Sequence, residues 1–182
     1  MQNDRIGKSS ALIRNGIGLT AALLIGGCMF GQYHPTEKFT LETSSRPAAA
    51  QLRVGEFRNN SGAGRRMQIV EADGRVRELQ FASWNDDPGA LISGALNRGF
   101  SRAGQPTVRR VSGELDCFGA NDATKVFRLA GIFRIDDAPP VRFDLVEPLA
   151  DGATDPVAIA DAARLAANRL AELIAKAGAA KP

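Results

Sequence analysis

In FASWNDDPGALISGALNRGF, residues Phe81–Phe100, the hydrophobic period of the chain switches from that of a strand to that of a helix. Asp87 suits an N-cap and Pro88 the first helical position, where a missing N–H costs nothing. Leu91, Ile92, Ala95, Leu96 and Phe100 then keep i, i+3/i+4 spacing, which predicts a helix with one buried face, stopped by Gly104. Gly94 and Gly99 each cost such a helix about 1 kcal/mol against alanine. One of them is expected to allow a close approach to a sheet. Trp84 is expected to be core, closing over the first turn.

Upstream the pattern is strand-like. Phe39 and Leu41 alternate with polar neighbours as a first edge strand, and Leu52, Val54 and Phe57 mark a second over Gln51–Arg58. Asn59–Gly64 is turn chemistry. Gly62 and Gly64 do not make a phosphate-binding loop, because such a loop must open a helix and here a strand follows. Arg66–Glu71 and Arg75–Phe81 flank Asp73-Gly74, a strong hairpin signal, with Met67 and Ile69 expected to face Val76 or Leu79.

Downstream, strands are expected at Thr107–Phe118, Lys125–Asp136 and Val141–Glu147. Phe127, Leu129, Phe133 and Ile135 share one face of the middle strand, with Arg128 and Arg134 on the other; Val141, Phe143 and Leu145 repeat the alternation. A long helix follows from Asp155 to about Ala177, capped by Thr154 or Asp155, with Gly178 after it. Its apolar stripe is Ile159, Ala162, Ala163, Ala166, Leu170, Leu173 and Ile174. The order of strand, strand, hairpin, helix, three strands, helix predicts an α+β domain, its sheet largely antiparallel or mixed, with two helices packed on one face.

The start of the chain is of another kind. Arg5, Lys8 and Arg14 precede an apolar run from Ile17 to Gly27, which is too short for the roughly 20 residues of a membrane-spanning helix. Residues 1–27 therefore read as a signal peptide, residues 28–36 as a tether and residues 37–182 as one domain. The signal segment holds three basic side chains and one acidic, so the formal charge of +3 falls to about +1 without it. With no basic block interleaved with aromatics, no nucleic-acid partner is expected.

Few residues offer chemistry. Cys28 and Cys117 are the only cysteines and His34 the only histidine, too few for a four-ligand zinc site, and no cofactor is expected. Cys117 reads as a buried small hydrophobe, with a catalytic nucleophile as the sharper alternative. The paired carboxylates Asp86/Asp87 and Asp136/Asp137 stand at a helix start and a turn, where capping is the simpler role. The chain is thus not expected to be an enzyme. Arg65, Arg66, Arg75 and Arg77 on the hairpin read as a solvated face or a partner-binding edge.

Two features carry a family resemblance. Ile25-Gly26-Gly27-Cys28 resembles a bacterial lipobox, and the succession of FTLE (39–42), RVGEFR (53–58), the 81–100 stretch, a strand block and an alanine-rich helix resembles the ABC-type transport auxiliary lipoproteins, the PqiC-like family. The resemblance implies diacylglyceryl attachment at the Cys28 sulfur, with cleavage before it. Acylation of the new α-amine would add the further chain that stable anchoring needs. Met29, in the position after the lipidated residue, implies sorting to the outer membrane, with the domain on its periplasmic face. The implied role is a non-enzymatic docking subunit of an MCE-type lipid transport system, with an MCE-domain protein as partner and a homo-oligomeric ring as a possible assembly. The alternatives are an outer-membrane assembly lipoprotein serving cell-wall synthesis or lipopolysaccharide, or an envelope enzyme.

Overall fold

The computed structural model describes residues 35–43, 52–100, 109–150 and 154–179. Cys28, His34 and Gly104, with the signal peptide and most of the tether, lie outside the described residues. The strands are β1 (Glu37–Phe39), β2 (Leu52–Asn59), β3 (Arg66–Val70), β4 (Val76–Trp84), β5 (Arg109–Asn121), β6 (Val126–Ile135) and β7 (Val141–Pro148). The helices are α1 (Pro88–Phe100), between β4 and β5, and α2 (Pro156–Ala179), after β7. This is the expected α+β order.

All seven strands belong to one mixed sheet, ordered β1-β4-β3-β5-β6-β7, with β2 also on β5. The pairs β3/β4, β5/β6 and β6/β7 are antiparallel, while β1/β4, β2/β5 and β3/β5 are parallel. β6 occupies one edge of β5 from Val111 to Asn121. β2 and β3 therefore share the other edge end to end, β2 beside Arg109–Leu115 and β3 beside Ala120–Asn121. They are two segments of one interrupted strand. In the gap Asn59 acts as a clasp: its Nδ2 donates to the Ala63 carbonyl at 2.7 Å and its Oδ1 accepts from the Ser61 hydroxyl at 2.6 Å.

Both helices lie on one face of the sheet, α1 against β2 and α2 against β6 and β7. Between these layers lies the core: Phe57, Met67, Ile69, Leu115, Phe127, Leu129 and Phe133 from the sheet, with Ile92, Leu96, Ile159 and Leu170 from the helices. Trp84 is buried at the end of β4 and meets Phe118 edge-on at 5.3 Å, and Phe118 meets Phe127 in the same way at 5.1 Å. Alanines at 162, 163, 166 and 167 bring α2 close to the sheet.

Asp87 and Asp155 cap the helices, accepting from Gly89 N at 2.9 Å and from Val157 N at 3.1 Å. The close approach falls at Gly89, where an added Cβ would lie 2.1 Å from the Phe57 carbonyl oxygen; at Gly94 the nearest atom is the tip of Arg98, at 3.5 Å. Gly178 lies inside α2 and not after it. It rests on Leu52, and its carbonyl accepts from Arg109 Nη1 at 3.0 Å, so the last turn continues. Leu173 is exposed, one step off the buried stripe, and Val141, opening the edge strand β7, is exposed as well. Val76 is also exposed, so Leu79 supplies the hairpin's apolar contact with the core. No helix among the described residues is long and apolar enough to cross a membrane.

Candidate functional site

The face of the sheet opposite the helices is lined by the alternate residues of each strand. β2 contributes Arg53, Glu56 and Arg58, β5 contributes Arg110, Ser112 and Glu114, and β6 and β7 contribute Arg128, Ile132, Arg134, Arg142 and Asp144. A groove of about 340 Å³ crosses this face, walled by Arg58, Arg110, Arg134, Glu56 and Glu114 and floored by Ser112 and Gly113. On the opposite, core-facing side of the same strand Gly113 makes room for the Phe57 ring, from which a Cβ there would lie 2.4 Å. A smaller hollow of about 230 Å³ lies beyond, between Cys117, Arg128, Arg142 and Asp144.

Arg128 and Asp144 form a two-pronged ion pair, Nε to Oδ1 at 2.8 Å and Nη2 to Oδ2 at 2.7 Å. The Arg128 guanidinium holds the Asp144 carboxyl below the usual carboxylate range. Cys117 was expected in the core. An extra residue in β5, where the register slips between Leu115 and Cys117, turns it to the outer face instead. Partial burial pushes its thiol pKa up, with Asp144 and Asp116 adding and Arg128 opposing, so at neutral pH it is a thiol and a poor nucleophile.

The paired carboxylates are placed as the capping reading expects. Asp86 accepts from Arg65 at 3.2 Å, and Asp87 caps α1 while accepting from Asn59 Nδ2 at 2.8 Å. Asp136 sits in the β6–β7 turn with a left-handed φ of 53°. It accepts from Arg110 N at 2.7 Å and from Arg109 Nε at 3.0 Å, and these bonds lower its pKa. The hairpin arginines are all matched: Arg65 with Asp86, Arg66 with Glu78, Arg75 with Asp73 and Arg77 with Glu71. Among the described residues no three His, Cys, Asp or Glu side chains are grouped to hold a metal ion.

Sequence reasoning singled out the hairpin arginines, set Arg128, Arg134 and Arg142 on the outward side of their strands, and missed Arg53, Arg58 and Arg110. The available signal was a charged residue at the outward position of several strands, which becomes a surface only once the strands are in register.

No family model and no curated protein matches the chain. Among solved structures, the chain is similar to an uncharacterized protein with a TM-score of 0.61 at 11% identity, covering 79% of this chain and 98% of that one. It is also similar to a DUF330 protein from Xanthomonas campestris, with a TM-score of 0.53 at 15% identity, covering 78% of this chain and 91% of that one. At such identities the likeness is one of fold: a mixed sheet with two helices on one face.

Proposed function

We propose that this chain is a periplasmic lipoprotein anchored to the outer membrane through Cys28, serving as a non-enzymatic docking subunit of an ABC/MCE-type intermembrane lipid transport system of the PqiC-like kind. The observation that carries the reading is the division of labour in the sheet. One face is closed by both helices, while the other is left open and carries a charged groove suited to a partner. Support also comes from candidate catalytic groups that are already engaged: Asp86 with Arg65, Asp87 in capping α1, Asp136 in its turn, and Cys117 as a protonated thiol. Ile25-Gly26-Gly27-Cys28 supports the anchor. Two acyl chains suffice for stable attachment where one is marginal.

The test is membrane fractionation with and without globomycin, together with co-purification of a neighbouring MCE-domain protein from native membranes. The precursor should accumulate with globomycin, and the processed form should fractionate with the outer membrane and bring the MCE-domain protein with it. Cys28→Ala should fold normally and leave the membrane fraction. A variant that kept its location and function would overturn the reading, and so would failure of the MCE-domain protein to associate.

A further inference from the structure

Some basic side chains near the open face have a carboxylate within 4 Å: Arg66 meets Glu78 and Arg128 meets Asp144. Arg53, Arg58, Arg110, Arg134 and Arg142 are exposed on this face and make no ion pair with a described residue. Four of them form a row. Arg53 stands opposite Arg110 across β2/β5, Arg134 is diagonal to Arg110 because it pairs with Ser112, and Arg142 is diagonal to Arg134 because it pairs with Ile132. Like charges directly opposite one another destabilise a sheet. The Arg110 guanidinium lies across Gly55, where a Cβ would come within 2.8 Å of Nε.

We infer that this arginine row is the docking surface for an acidic segment of a protein partner. The row crosses four strands, about 15 Å at the usual interstrand spacing, which suits several carboxylates in succession better than one phosphate. Glu56 and Glu114 stand in the same groove and would be pressed against the phosphates of an anionic bilayer, whereas a protein segment can offer them hydrogen-bond donors. The inference deepens the docking role proposed above and rests on it only for the partner's name.

The test uses the full chain in intact cells, with a photoreactive benzophenone amino acid at Ser112 or, separately, at Leu165 on the outward side of α2. Irradiation should join Ser112 to a protein through a segment rich in Asp and Glu. The yield should fall at least about tenfold in Arg110→Glu/Arg134→Glu and less in Arg110→Gln/Arg134→Gln, while Arg164→Glu on α2 leaves it unchanged. The Arg110→Gln/Arg134→Gln variant should melt no lower than the parent, because no ion pair is lost. An adduct with lipid, with a second copy of this chain or with a neutral segment would overturn the inference, as would no adduct or one indifferent to charge reversal. An MCE-domain protein captured from Leu165 alone would sink the inference and keep the proposed function. An acidic protein of another kind captured at Ser112 would do the reverse.

Discussion

The two faces of the sheet are made from the same strands, residue by residue in alternation, yet they obey different rules. On the helix side nearly every position is apolar and its neighbours are fixed by packing; the buried charge there is Glu147, whose Oε1 accepts from Arg169 at 2.6 Å. On the open side charged positions predominate, and some of the charges are matched while a row is not. The strands spend their apolar residues on holding the fold and their polar ones on presenting a surface. Substitutions should therefore have large effects on one face and small ones on the other.

The largest effect expected is Phe133→Ala. This ring is fully buried between sheet and helices, and truncation of such a residue costs about 3–5 kcal/mol, readable by urea unfolding. Gly89→Ala should cost about 1–3 kcal/mol, because its methyl group would run into the Phe57 carbonyl and push α1 away from β2. A loss near zero would mean that the helix and the sheet are less closely joined.

Two ion pairs then set the faces against each other directly. Arg169→Ala leaves the buried Glu147 carboxylate short of its partner and should cost about 1–3 kcal/mol. Arg128→Ala breaks a two-pronged pair on the open face and should still cost no more than about 1 kcal/mol, because both partners are half exposed. Equal costs would break the comparison.

The smallest expected effect is one of pH. Asp136 and Asp144 have lowered pKa values in the folded chain, so their contributions are complete above the ordinary carboxylate range and disappear as the pH falls through the lowered values. Asp144→Asn should therefore flatten the acid limb of a stability–pH curve while leaving its shape above neutrality unchanged. An acid limb as steep as the parent's would show that the ion pair contributes nothing.

Local pattern accounts for a good deal of this. The nine elements among the described residues come in the order that hydrophobic period, caps and turns dictate, because Asp87, Pro88, Asp73-Gly74 and Asp155 act within a few residues of themselves. What the pattern does not hold is set by distant residues. Parallel pairing of β2 with β5 joins Leu52 to Arg109, and no neighbour of either announces it. Cys117 faces outward because of one extra residue in β5, a slip that alternation cannot register. The same reasoning explains the candidate site. Arg75 and Arg77 draw attention as a sequence cluster yet find their carboxylates nearby, whereas Arg53, Arg110, Arg134 and Arg142 become neighbours only through strand pairing.

The interrupted strand formed by β2 and β3 along β5 has a consequence for the order of folding. β5, β6 and β7 are joined by short turns and can zip together locally, whereas β2 waits until Arg109–Leu115 exists as an edge, at the cost of closing a long loop. The C-terminal meander is therefore the expected nucleus, and the N-terminal half a late arrival. Phe133→Ala should slow refolding, while Leu52→Ala should chiefly speed unfolding, and stopped-flow rates for the two variants would reverse that order if β2 docked first. A domain synthesised from its N-terminus would then complete its sheet only when its last-made strands are in place.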